Sequence, residues 1–321
     1  MNVWLVAASS IVAAAATSAA PTASSDVPPP LVAAHQHLIS PDFAKLLNLP
    51  PQDGAAFLKM LDKAGTRRGV VLSMGYTFGD ERKKIPESDR DRLTAEENDW
   101  TSEQVVHSDG RLVGFCGVNP LRSSALAEID RCLKLPGMIG VKLHFANSGV
   151  SMRNPDHVAK LQRIFAEANV HHAPIVVHLH ARTGSPYGAE DAQIFIEELL
   201  PYAPKVIVQV AHLAGSGEFP PDAEAAMRVF EGAIQRHDAR VRNLYFDQST
   251  VATSTSSAED GARIAAAIRG VGVKRVLFGS DMVVSYNPPP GPSWTNFKQR
   301  VPLRSSELKA IAGNVPPYMR R

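Results

Sequence analysis

Two histidines separated by one residue, His35 and His37, follow the apolar run Leu31-Val32-Ala33-Ala34. Alternate side chains of a strand share a face, so at a strand's end this spacing lets both imidazoles grip one cation without backbone contortion. An isolated His-x-His is more often surface chance or a hydrogen-bonded pair than a ligand set. Here, however, the pattern repeats along the chain. Lys142 and His144, His178 and His180, His212, Asp247 and Asp281 each lie at the end of a further apolar run. Six of the eleven histidines stand at such ends. The others, His107, His157, His171, His172 and His237, fall on helical stretches or their ends and read as solvated.

Neutral imidazoles with a carboxylate suit Zn²⁺ or a similar divalent ion, and a catalytic site of this kind leaves one position for water, whose pKa falls to about 7 on zinc. An aspartate beside that water can take its proton, and a further histidine can polarise the bond under attack or protonate the leaving group. The chemistry is metal-assisted hydrolysis or, with a carboxylated substrate, metal-assisted decarboxylation.

The elements that must position these residues follow from the hydrophobic pattern. Eight short apolar runs read as strands: 31–34, 69–73, 112–118, 139–145, 175–178, 206–211, 244–246 and 276–278. Helical patterns alternate with them at 57–64, 90–107, 125–133, 157–169, 189–200, 223–235, 258–269 and 307–312. The helix near 157 carries clear start signals, with Asn154 at the N-cap, Pro155 in the first turn, and Val158, Leu161, Ile164 and Phe165 on one face. Strands each followed by a helix, with no hairpin turns, predict a parallel sheet closed into a (β/α)₈ TIM barrel, with the metal site at the carboxyl ends of the strands. An open doubly wound sheet is the runner-up, but no Gly-x-Gly-x-x-Gly turn follows the first strand.

With 321 residues, 44% hydrophobic and 21% charged, and a net charge of +2, the composition is that of a globular protein with no basic stripe for nucleic acid. Residues 1–20 read as a signal peptide with small residues before Pro21, although Met1 to Ser40 holds no Lys or Arg. This predicts a periplasmic or secreted protein, cytoplasmic if the segment is not a functional signal. The apolar run is too short and alanine-rich for a membrane span. Residues 21–30 read as a Pro/Ser-rich linker, and 31–321 as the barrel domain. Cys116 and Cys132 are the only cysteines and read as buried free thiols.

The motifs His35-x-His37, His178 after the fifth strand, His212 in Val-Ala-His-Leu-Ala-Gly, Asp281 in Phe-Gly-Ser-Asp and the ending Ile-Ala-Gly-Asn at 311–314 resemble the amidohydrolase superfamily. They are most similar to its amidohydrolase-related branch, which includes aminocarboxymuconate-semialdehyde decarboxylase-like enzymes. The resemblance spans about 31–319. It implies that His35, His37, His178 and Asp281 hold one divalent metal, zinc by expectation, with Asp281 and His212 catalytic. The family's acidic residue two positions before the first histidine is Ala33 here, which weakens the support around the ligands. Some superfamily members carboxylate a fourth-strand lysine to bridge two metals. Lys142 in Val-Lys-Leu-His is either that group or a partner for the substrate.

Lys142, His144, His180 and Arg182 are the substrate-binding candidates. His180 is equally a hydrogen-bonded rim residue, and Arg182 either clamps a carboxylate or pairs with a loop acid. Asp247 is expected to orient a neighbour, and Tyr76, Asn147 and Trp294 to lie in loops at the mouth. The function expected is metal-dependent hydrolysis of an amide, ester or lactone bond in a small molecule, with decarboxylation of an aromatic or unsaturated acid as the alternative. Self-association is left open.

Overall fold

The computed structural model describes residues 26–282 and 287–320. The expected signal peptide, residues 1–20, lies outside the described residues. Eight parallel strands run in sequence order: β1 Val32–Gln36, β2 Arg68–Leu72, β3 Leu112–Gly117, β4 Met138–His144, β5 Ile175–His178, β6 Val208–Val210, β7 Leu244–Asp247 and β8 Val276–Leu277. The backbone of β1 meets the end of β8 through Ala34 N–H donating to Phe278 O at 2.6 Å and Asp281 N–H donating to His35 O at 2.9 Å. The sheet is thus nearly closed, and the chain is a (β/α)₈ TIM barrel.

Helices alternate with the strands: α1 Pro41–Leu47, α2 Gly54–Ala64, α3 Glu87–Val106, α4 Ala125–Cys132, the single turn α5 Phe145–Ser148, α6 Pro155–Val170, α7 Ala189–Ile194, α8 Pro221–Gln235, α9 Ala258–Val271, α10 Pro290–Arg300 and α11 Ser305–Gly313. Local chemistry sets their starts. Asp53 and Asn154 cap α2 and α6 by accepting from Ala56 N and Asp156 N, and Ser257 with Asp260 forms a capping box on α9. The helix expected over 189–200 is α-helical only to Ile194, then widens into a π turn over Phe195–Leu199 as Pro201 approaches.

The apolar faces of the helices pack on the outside of the strands in one large core. A second cluster fills the barrel, with Val32, Ala34, Val70, Leu72, Phe115, Val176 and Leu277 closed by Met319 and Tyr318 from the C-terminal segment. Register carries this inward face to the mouth. Lys142 pairs with Val176, Val176 with Gln209 and Gln209 with Tyr245, and one pleat further His144 pairs with His178. Side chains two residues beyond the interior plug therefore converge where the strands end.

Two expectations are corrected. Cys116 on β3 and Cys132 on α4 are not free thiols: their Cα atoms lie 6.0 Å apart and the sulfurs are bonded. Nor is the described end of the linker unpacked. Val27 is buried in the outer core and Pro28 O accepts from Trp294 Nε1 at 3.2 Å. Burial of this apolar side chain and the Trp294 hydrogen bond offset part of the cost of ordering the short segment.

Candidate metal centre at the barrel mouth

His35 and His37 both point into the mouth because β1 is irregular. Val32 and Ala34 face the interior, and regular alternation would turn His35 out toward the helices. A register shift between Ala33 and Gln36 brings His35 inward instead. Gly279 in the loop after β8 makes room for it, since a Cβ there would stand 2.6 Å from the His35 Cβ. His212 and Asp281 are presented by strained backbone. His212, Leu213 and Ala214 have φ of 55°, 47° and 63°, and Asp281 has φ 49°, all in the left-handed region that non-glycine residues seldom occupy.

His35 Nε2, His37 Nε2 and Asp281 Oδ1 form one cluster, with nitrogen–oxygen distances of 3.3 and 3.2 Å. The other ring nitrogens are committed. His37 Nδ1 lies 2.7 Å from Leu72 O and must donate to it, and His35 Nδ1 lies 2.9 Å from Asp247 Oδ2. Burial drives the His37 pKa down to about 4, so the ring is neutral at pH 7 and turns a bare lone pair on the Asp281 carboxylate. Burial and Lys142 push His35 down, but the Asp247 and Asp281 carboxylates together outweigh them and its pKa is raised. Asp281 is opposed by its own burial, yet His35 and His37 hold it well below the carboxylate range. Lone pairs facing a carboxylate repel unless a positive charge stands among them. A proton on His35 meets that need in the metal-free protein, and a divalent cation fits the same donor set. Asn287 steadies the other side of Asp281, donating to Oδ2 at 3.1 Å.

Asp247 is the buried organiser expected of it. One oxygen accepts from His35 Nδ1 and from Gln209 Nε2 at 2.7 Å; the other accepts from His212 N and Ser249 N, both at 3.1 Å. It supplies the support that Ala33 cannot. His212 Nδ1 is 2.9 Å from Ser249 O, which leaves Nε2 open, and its ring centroid is 4.8 Å from that of His35.

His178 is not within the three-residue cluster. Its ring stacks on His144 at 3.9 Å and meets His212 edge-on at 5.1 Å. Burial holds the pKa of both stacked rings well below the usual value, so both are neutral. Lys142 Nζ is 3.4 Å from His35 Nε2, and burial lowers its pKa to about 8. His144 accepts from Asn147 N through Nδ1 and faces the buried Tyr76 ring at 5.0 Å.

The remaining candidates lie off the centre. Arg182 turns to the buried Asp80, 3.5 Å away and also held by Arg82, and donates to Ala146 O at 3.2 Å. His180 sits at the rim beside Asp222, at 3.3 Å, and Tyr187. Asn147 accepts from Arg82 at 3.1 Å. Trp294 is not at the mouth: it is buried on α10 against Phe278 and Phe297. The residues missed from sequence are Gln209, Ser249, Thr250 and Asn287. Only Gln209 gave a signal, as a lone amide in the apolar run Val-Ile-Val-Gln-Val.

A barrel with this mouth defines an enzyme scaffold whose catalytic groups come from strand ends. Residues 32–314 match the amidohydrolase family model, and the chain belongs to that family. No curated protein matches it in sequence. Similar solved structures include a 2,6-dihydroxybenzoate decarboxylase from Rhizobium, at 16% identity and TM-score 0.58, covering 89% of this chain and 96% of that one. A probable 2-pyrone-4,6-dicarboxylic acid hydrolase from Acinetobacter baumannii, with citric acid bound, matches at 14% identity and TM-score 0.55, covering 88% and 95%. A 5-carboxyvanillate decarboxylase from Novosphingobium aromaticivorans, with bound manganese, matches at 11% identity and TM-score 0.58, covering 92% and 100%. At these identities the likeness is one of fold. No described helix is long and apolar enough to cross a membrane.

Proposed function

We propose that the chain is a metal-dependent hydrolase that cleaves an amide, ester or lactone bond of a small molecule at the barrel mouth. The observation that carries this reading is the convergence of His35 Nε2 and His37 Nε2 on one carboxylate oxygen, Asp281 Oδ1. A divalent ion held there supplies Lewis acidity and brings the pKa of water to about 7. His35 Nε2, His37 Nε2 and Asp281 Oδ1 would hold it, with His178 as the further ligand. Zinc suits imidazoles with one carboxylate, and manganese, which the Novosphingobium protein binds, is the second choice. Asp281 would receive the proton of the attacking water, and His212 would polarise the substrate carbonyl as the imidazolium, with Nε2 protonated as well as the Nδ1 that donates to Ser249 O.

Two of the similar structures are decarboxylases and one is a probable hydrolase, a likeness of fold alone that fits decarboxylation at least as well as hydrolysis, so residues of this chain must separate the two. The commitment of Arg182 to Asp80 favours hydrolysis, since it removes a bidentate clamp for a substrate carboxylate. Decarboxylation remains the second reading because Lys142 keeps a buried amine beside His35. That amine also suits carboxylation, which would bridge a second metal, and metal content near two per chain that falls in Lys142→Ala tests it. The Cys116–Cys132 disulfide supports export to an oxidising compartment. Cell fractionation, with the disulfide as a marker, tests export.

The reaction is tested with the metal-loaded enzyme on a panel of esters, lactones and aromatic acids in ¹⁸O-water. Hydrolysis places one solvent oxygen in the organic product. Release of CO₂ with no label in the organic product would reverse the assignment.

A further inference from the structure

A line of buried polar groups ties the metal centre to the segment that closes the barrel. Gln209 on β6 is fully buried. Its neighbours Val208 and Val210 pack in the outer core, so alternation turns the amide into the barrel interior. There Nε2 donates to Asp247 Oδ2 at 2.7 Å and to Ala34 O at 3.2 Å, while the Tyr318 hydroxyl donates to Oε1 at 2.8 Å. The polarity of this line is fixed. Asp247 Oδ2 and Ala34 O can only accept, so the amide cannot turn over, Oε1 must face the phenol, and the phenol must donate. Burial and the Asp247 carboxylate raise the Tyr318 pKa, which keeps that proton in place. At its other end the line reaches His35 twice. Asp247 Oδ2 accepts from His35 Nδ1 at 2.9 Å, and Ala34 is the residue before His35, at the register shift that aims it inward.

Resting on the metal-centre reading above, we propose that Gln209 and Tyr318 are positioning residues for His35: the phenol locks the Gln209 amide, and the amide holds Asp247 and β1 so that His35 Nε2 meets Asp281 Oδ1. A residue that only plugged the barrel would not need a hydroxyl. The Tyr318 ring packs edge-on against Phe115 with centroids 5.3 Å apart, and the carbonyl of the next residue, Met319, accepts from Arg68 Nη1 at 2.6 Å. Phenylalanine at 318 keeps both contacts and loses the donor to Gln209 Oε1. A buried acceptor without a donor is costly, so the amide shifts to relieve it and loosens its hold on Asp247 and Ala34. The loss is passed on because hydrogen bonds in such a chain polarise and strengthen one another.

Two readouts test this, one with metal and one without. Zinc affinity is measured by competition with a chromophoric chelator for wild type, Tyr318→Phe, Gln209→Met and the double variant. In the metal-free protein, labelled at histidine with ¹⁵N, NMR follows exchange of the His35 Nδ1 proton with solvent, its signal identified by loss in His35→Gln. Gln209→Met weakens zinc binding about tenfold and Tyr318→Phe about threefold or more. Both speed the exchange, and the double variant shows no more than Gln209→Met alone. A plug without a positioning role lowers the melting temperature of Tyr318→Phe but leaves the affinity and the exchange rate of the folded protein unchanged, and that result overturns the inference. So does a Tyr318→Phe effect of the same size in the Gln209→Met background. If Gln209→Met does not fold, the affinity and exchange rate of Tyr318→Phe decide alone. The two readings fail separately: faster His35 exchange in Tyr318→Phe of a chain that binds no metal keeps the positioning role and sinks the metal centre, whereas tight metal binding indifferent to Tyr318 does the reverse.

Discussion

Asp247→Asn removes a charge without changing volume, and the structure states its consequence. The native carboxylate accepts two hydrogen bonds on each oxygen, from His35 and Gln209 on one side and from the backbone of His212 and Ser249 on the other. Whichever way the asparagine amide turns, its NH₂ meets two donors. Each buried donor left unsatisfied costs about 1–3 kcal/mol, so the variant loses about 2–6 kcal/mol of stability. With the NH₂ turned to the His35 side, His35 loses the acceptor that fixes its Nδ1 proton; with it turned to the other side, His35 keeps only a neutral amide oxygen in place of a carboxylate, and in either case metal affinity falls about 10- to 100-fold. The acid limb changes too. Burial pushes Asp247 up, but His35 holds its folded pKa well below the usual carboxylate range. Its stabilisation is therefore present above about pH 4 and is lost as pH falls, and the variant shows a flatter acid limb. Urea unfolding across this pH range, with metal titration at pH 7, measures both. A loss under about 0.5 kcal/mol with unchanged metal affinity would refute the assignment of Asp247 as organiser.

Glu97 is buried on α3 with Ser40 Oγ donating to it, and burial raises its pKa to about 7. The native state then holds this proton more tightly than the unfolded chain, so stability falls as pH rises from about 4 to 7; Glu97→Gln abolishes that decline and gains up to about 3 kcal/mol above pH 7, while an unchanged pH profile would contradict it. A chain begun at Leu31 loses buried Val27 and the Trp294 hydrogen bond, and melts below a chain begun at Asp26 by an amount matching about 2–4 kcal/mol; equal melting temperatures would mean that 26–30 contributes nothing. Gly279→Ala drives a methyl against Ser249 Oγ and the His35 Cβ, costing about 1–3 kcal/mol and lowering metal content; full content at native stability would show that this backbone yields freely.

The barrel was legible because each buried strand is a short apolar run and most outer helices carry one apolar face; α3 is the exception, burying Arg90, Thr94, Glu97, Asn98, Thr101 and Ser102 with Val105. The α1 and α10 helices were not, since the first spans seven residues and the second opens among prolines and has a weakly apolar sequence. Histidines and aspartates at strand ends marked the mouth, and His35, His37, His212, Asp247 and Asp281 do gather there. The pairing of Arg182 with Asp80 was open in the sequence, because the two lie on different loops that only the closed barrel brings together. The same holds for Cys116 and Cys132, whose spacing matches no motif and whose meeting depends on α4 folding back beside β3. His35 shows the subtlest gap. Its inward aim depends on a register shift in β1, whereas strict alternation from Ala34 would turn it outward.

The central claim, that the mouth of this barrel is a metal centre, is tested most directly by metal analysis of protein purified without chelator. The wild-type chain is predicted to hold about one divalent ion, His178→Ala to lose most of it, and the His35→Ala/His37→Ala double variant to hold none while still folding. Full metal occupancy in that double variant would contradict the account.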